Sequence, residues 1–140
     1  MRYYFVEPEV AGELGSGTIL DTTLHPPVVK KLEYEFHGWS GDVLLESFPC
    51  FIVTAEVAAE LERSEMTGIA FSQVTVTQSD EFDELYPEIV LPDFRWLKIQ
   101  GTDGLDDFGL SSDFRLVISE RALEILKRAQ LVSADLSDFV

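Results

Sequence analysis

Two stretches of this chain share one plan: an apolar, β-prone run stops at a hydroxyl residue, and an amphipathic helix pattern starts behind it. Phe51-Ile52-Val53 leads into Thr54, and Leu116-Val117-Ile118 leads into Ser119. A Thr or Ser side chain at that point accepts a hydrogen bond from a backbone N–H that the first helical turn leaves unsatisfied. Laid over one another at the offset from Thr54 to Ser119, 65 residues, the stretches align without a gap. Val57 falls on Ala122, Ala58 on Leu123, Leu61 on Leu126, Met66 on Leu131 and Phe71 on Leu136. Val57, Ala58 and Leu61 form one helix face with Glu56, Glu60 and Glu62 outward. Ala122, Leu123, Leu126 and Ala129 form the other, with Glu120, Glu124 and Lys127 outward. Such a chain is constrained to a single α+β domain over 1–140. It has a mixed or antiparallel sheet and two main helices in a strand-helix-strand module repeated over 49–76 and 114–140.

The remaining segments fit around these units. Tyr3 to Val6 is a strand ended by Pro8, and Leu32, Tyr34 and Phe36 alternate with Lys31, Glu33 and Glu35 as a strand with one wet face. Val43 to Leu45 and Cys50 to Val53 are strand pieces separated by Pro49. Ala11 to Pro27, rich in glycine and proline, reads as a long loop, and Gly101 to Ser112 as an acidic one. Ile69 to Thr77 reads as a strand whose apolar parity changes near Gln73, the mark of a bulge or bend. Ser79 caps a short helix with Phe82, Leu85 and Tyr86 inward, and Phe94 to Gln100 is a further strand.

Charge bounds the partners. With 26 Asp plus Glu against 10 Lys plus Arg, the formal net charge is −16, which repels nucleic acid and anionic lipid and draws in basic proteins, while also serving solubility. No stretch has the length of a membrane span. The single cysteine, Cys50, rules out an intrachain disulfide and lies in an apolar run, so an inert buried thiol in a cytoplasmic, reducing setting is expected.

Chemistry-bearing patterns are sparse. There is no CxxC and no HxxxH, and His25 and His37 lie apart beside Gly or Pro, so no catalytic residue, metal ligand or cofactor is assigned. The loop Asp103-Gly104-Leu105-Asp106-Asp107, with Asp113 beyond, holds carboxylates but lacks the ligand alternation of an EF-hand. Gly12-Glu13-Leu14-Gly15-Ser16-Gly17 has the glycines of a phosphate cradle, yet Glu13 opposes an anion and no lysine follows. The candidates for partner binding are the turn residue Trp39, the acidic run Asp80, Glu81, Asp83 and Glu84 with Tyr86, and the loop acids Asp103, Asp106 and Asp107.

Leu91-Pro92-Asp93-Phe94-Arg95-Trp96, an acidic loop, and the junction Val117-Ile118-Ser119-Glu120-Arg121-Ala122 together resemble bacterial immunity proteins of polymorphic toxin systems, including myxobacterial members. In that family an aspartate-rich loop precedes a V-S-E-R-A strand-to-helix junction. The resemblance covers the last third of the chain and supplies no site residues. It implies an acidic protein-binding module that neutralises a basic toxin or another basic protein. The alternative reading of the residues is a small-ligand-binding protein or hydrolase using carboxylates in a cleft between the repeats, and a homodimer with an apolar contact patch is a third.

Overall fold

The computed structural model describes residues 1–139. Strands β1 (Tyr3–Glu7), β2 (Gly12–Leu14), β3 (Ile19–Asp21), β4 (Val28–Lys31) and β5 (Glu33–Phe36) precede the hairpin of β6 (Leu44–Ser47) and β7 (Cys50–Thr54). Helix α1 (Ala55–Arg63), strands β8 (Ile69–Ser72) and β9 (Thr75–Gln78), the short helix α2 (Asp80–Leu85) and β10 (Phe94–Ile99) come next. The chain continues through β11 (Phe108–Leu110), β12 (Leu116–Ser119), α3 (Glu120–Gln130) and β13 (Asp135–Asp138). This is an α+β fold. Two four-stranded antiparallel sheets, β6-β7-β10-β8 and β11-β12-β1-β13, stand beside a three-stranded sheet, β2-β5-β9, in which β5 and β9 run parallel, and a β3-β4 hairpin.

Both expected caps are made: Thr54 Oγ1 accepts from Val57 N–H, and Ser119 Oγ from Ala122 N–H. Around them the four-stranded sheets share one topology. In each, a hairpin leads into the cap-bearing strand, the helix follows, and an antiparallel strand is inserted between that strand and the return strand. The inserted strand is β10 in the first unit and β1 in the second. Ser119 pairs with Tyr3 as Thr54 pairs with Phe94, and Leu136 pairs with Val6 as Phe71 pairs with Leu97. The offset of 65 therefore holds in strand register as well as in apolar spacing, and each unit is a split β-α-β.

Helices α1 and α3 touch each other and close one core over both four-stranded sheets, with Val57, Leu61, Leu123 and Leu126 meeting Val53, Leu97, Val6 and Ile118. Strand β7 is buried on both faces. Its Phe51 and Val53 join that core, while Cys50 and Ile52 join a second one with Tyr34, Phe36, Phe82, Phe94 and Trp96.

Five expectations from sequence need correction. The stretch 11–27 is not a long loop, because β2 and β3 lie in it. Glycine makes the first of these feasible, since a Cβ on Gly12 would sit 1.9 Å from the Glu35 carbonyl oxygen. The parity change near Gln73 is no bulge: the chain leaves one sheet at Ser72 and joins another at Thr75, so its buried side changes with the sheet. Leu85 and Tyr86 are exposed rather than inward, because α2 spans too few turns to carry a stripe and buries Phe82. Likewise, the acidic loop 101–112 contains β11, and the buried stripe of α3 stops at Leu126, leaving Ala129 exposed.

Asp42 and Asp107 are both buried and stand 65 positions apart. Asp42, ahead of β6 in the first unit, accepts from Val132 N–H at 3.0 Å and Ser133 N–H at 2.8 Å where α3 of the second unit ends. Asp107, ahead of β11 in the second unit, accepts from Thr67 N–H at 3.0 Å beyond α1 of the first. Thr67 and Val132 are themselves related by the same offset. Each unit's carboxylate thus ties down the other unit's helix exit, where the chain turns through positive φ at Glu65 and Gln130 and would otherwise leave amides unpaired.

Candidate functional site

The turn after β5 and the end of α2 enclose a hollow of about 540 Å³, lined by Glu9, Val10, Ala11, Gly12, His37, Gly38, Trp39, Ser40 and Tyr86. Backbone pairing fixes its floor: the N–H groups of His37 and Gly38 both donate to the Ala11 carbonyl, at 2.9 and 3.3 Å. Trp39 is half-buried. Its Nε1–H donates to the Asp42 carbonyl at 2.9 Å and its ring meets Phe94 edge-on, so the indole is folded back onto the core as one wall. The Tyr86 ring lies over Gly38 as the opposite wall and stays 42% exposed.

Helix α2 is anchored by Phe82, which is fully buried, and by Ser79 Oγ, which accepts from Phe82 N–H at 3.0 Å. Asp80, Glu81, Asp83 and Glu84 are all exposed around that anchor. The place of Asp80, Glu81 and Asp83 in the first turn, at the positive end of the helix dipole, makes their charge tolerable to the fold. The structure therefore brings Trp39 and Tyr86 into one hollow at the end of the acidic helix. No Lys or Arg is among the described residues that line it.

Asp103, Asp106 and Asp107 lie elsewhere and line no part of this hollow. Asp106 Oδ2 accepts from Thr102 N–H at 2.7 Å, closing its own turn. Asp107 is 5% exposed, and its proposed place on a partner-binding surface is corrected: the carboxylate is spent inside the fold. It takes Nε and Nη2 of Arg121 at 2.9 and 2.7 Å, Ser119 Oγ at 2.6 Å, and the Thr67 amide. Burial by itself would raise the Asp107 carboxyl, but the hydrogen bonds from Arg121, Ser119 and Thr67 outweigh it and hold the group below the ordinary carboxylate range.

The glycine-rich loop also has an internal answer. Gly17 N–H donates to Glu33 Oε1 at 3.1 Å and Thr77 Oγ1 to Glu33 Oε2 at 3.1 Å, so the anion in that cradle is the chain's own carboxylate. Between α1 and α3 lies a cleft of about 390 Å³, where Glu56 and Glu60 are accompanied by Arg63 and Arg128. Glu60 is paired with Arg63 at 2.6 Å, and this is the carboxylate-bearing cleft between the repeats.

Cys50 is 3% exposed, and burial pushes its thiol up to about 12. A thiol so placed presents almost no thiolate near neutral pH. The native protein is expected to react with an aromatic disulfide reagent far more slowly than the urea-unfolded chain; equal rates would contradict this burial.

Sequence reasoning passed over Asp42, although its position 65 residues before Asp107 was a usable signal. It also passed over Glu13 and Glu35. These are direct cross-strand partners on the outer face of β2-β5-β9, and His37 Nε2 lies 3.5 Å from Glu13 Oε1 and 3.9 Å from Glu35 Oε1. Among the described residues, no helix is long and apolar enough to cross a membrane. No protein-family model matches the chain, and no curated protein matches it.

Proposed function

We propose that this protein is an acidic binding module that docks a basic protein at the hollow between Trp39 and Tyr86, and that the partner is a toxin which it neutralises. One observation carries the docking surface: exposed apolar groups, Val10 at 65% and Tyr86 at 42%, rim a hollow whose lining has one acid, Glu9, and no lysine or arginine. An aromatic anchor in a concave site, bordered by charge of one sign, is the arrangement by which interfaces obtain both affinity and steering. The four exposed carboxylates of α2 extend that charge, and a net charge of −16 gives it reach. The toxin half of the proposal rests on the resemblance around Val117–Ala122 and on the chemistry of opposite charge.

The test is to co-express the chain with a basic protein encoded beside its gene and to measure their binding by calorimetry as salt is raised. Tight binding that weakens steeply with salt is expected, because the steering charges are exposed. Reversing Asp80, Asp83 and Glu84 to lysine should weaken binding by more than about tenfold, and Tyr86→Ala by a similar factor. Binding that is indifferent to all of these changes would place the interface on another face. If the neighbouring basic protein does not bind and its toxicity is unaltered, the toxin reading is lost.

A further inference from the structure

We infer that Glu13, Glu35 and His37 form a binding site for one divalent transition-metal ion of the zinc class. This goes beyond the partner reading and does not depend on it. The strand register places the three side chains together: Glu13 on β2 stands directly opposite Glu35 on β5, and His37 lies two residues beyond Glu35, on the same face. One ligand atom from each, two carboxylate oxygens and the imidazole nitrogen, lies within 4.8 Å of both others.

Three features give this cluster a meaning that scattered surface acids lack. Like charges directly opposite one another destabilise an antiparallel pair, and among the described residues no Lys or Arg is within ion-pair reach of either glutamate. A cation between them turns that repulsion into coordination. Second, the donor set contains an imidazole, and a mixed nitrogen and oxygen set favours zinc-like ions over calcium or magnesium, which take oxygen alone. Third, the backbone is already in place. His37 N–H and Gly38 N–H are tied to Ala11 and the strands are paired, so closing the site requires rotamer changes in side chains that are partly in water. Zinc bonds of about 2.0–2.2 Å need ligand atoms roughly 3.3 Å apart in a tetrahedron, a contraction that rotation about the side-chain bonds of these three residues has to supply.

Three protein ligands leave at least one coordination position for water or an added group. His37 also lines the hollow beside Trp39 and Tyr86, so the open position lies near that concave surface. Asp103 and Asp106, by contrast, belong to no such group among the described residues, and Asp106 is engaged with Thr102.

The experiment is titration of the intact chain with zinc chloride by calorimetry, with calcium chloride in parallel and tryptophan fluorescence, to which Trp39 and Trp96 both contribute, as a second readout. One equivalent of zinc is expected to bind with a Kd in the micromolar range or tighter, with calcium at least about a hundredfold weaker. Glu13→Gln and His37→Gln should each weaken zinc at least about tenfold, while Asp103→Asn leaves it unchanged. Glu13 is 67% exposed at its side chain, so its substitution leaves folding intact and reads the site even if a change at His37 disturbs the turn. Several weak equivalents shared with calcium, or zinc binding unaltered in Glu13→Gln and His37→Gln, would overturn the assignment.

Discussion

Replacing Asp107 with alanine is expected to destabilise the fold by about 3 kcal/mol or more, a large part of what a domain of this size possesses. The residue is buried and accepts from Arg121, Ser119 and Thr67, so its loss strands a buried hydroxyl and an amide and frees the guanidinium. Arg121→Ala should cost less. The arginine side chain is 48% exposed and returns to water readily, and Ser119 and Thr67 continue to hold the carboxylate.

The pH dependence has a definite sign. Because the folded-state pKa of Asp107 is depressed, its contribution is fully present above the unfolded carboxyl value of about 4 and drains away as pH falls from there toward the folded value. Urea unfolding of wild type and Asp107→Asn should show a gap in midpoint that is constant near neutrality and narrows below about pH 4. A gap that stays constant into strong acid would mean that the carboxylate charge is not what matters.

Asp42→Ala is expected to cost about as much, roughly 3 kcal/mol, by a different route. Asp42 is fully buried, and among the described residues no Lys or Arg forms an ion pair with it; its oxygens are satisfied by the amides of Val132 and Ser133. Alanine leaves those two donors facing a void. Asparagine keeps one acceptor oxygen and should cost about half as much. The ordering alanine, then asparagine, then wild type in urea midpoint, at an unchanged m-value, is the expected result. A loss below about 1 kcal/mol for Asp42→Ala would show that water replaces the carboxylate without penalty.

These two aspartates also mark how far the sequence could be read. Local physics was legible: Thr54, Ser79 and Ser119 cap the helices they were expected to cap, and Leu32, Tyr34 and Phe36 turn inward while Glu33 and Glu35 do not. Those signals need only near neighbours. What stayed hidden required knowing which distant segment lies alongside. The amides that Asp42 serves are 90 and 91 residues away, and one of the donors that engage Asp107 inside the fold, Thr67, lies across the repeat boundary. Glu13 and Glu35 became a pair only through strand register, which a glycine-rich stretch read as a loop does not reveal. For the candidate hollow, Trp39 and Tyr86 were recognised singly, and their convergence depends on α2 ending over Gly38.

The insertion of β1 between β12 and β13 has a consequence for the chain during synthesis. On the ribosome Tyr3–Glu7 is made long before Leu116–Ser119 and Asp135–Asp138, the segments with which it pairs. The sheet built on β7 and β10 can close while the polypeptide is still growing. The other must wait, with an aromatic-rich strand unpaired in the meantime, and its late assembly makes emergence of Asp135–Asp138 from the exit tunnel, rather than emergence of the first helix, the event that completes this sheet.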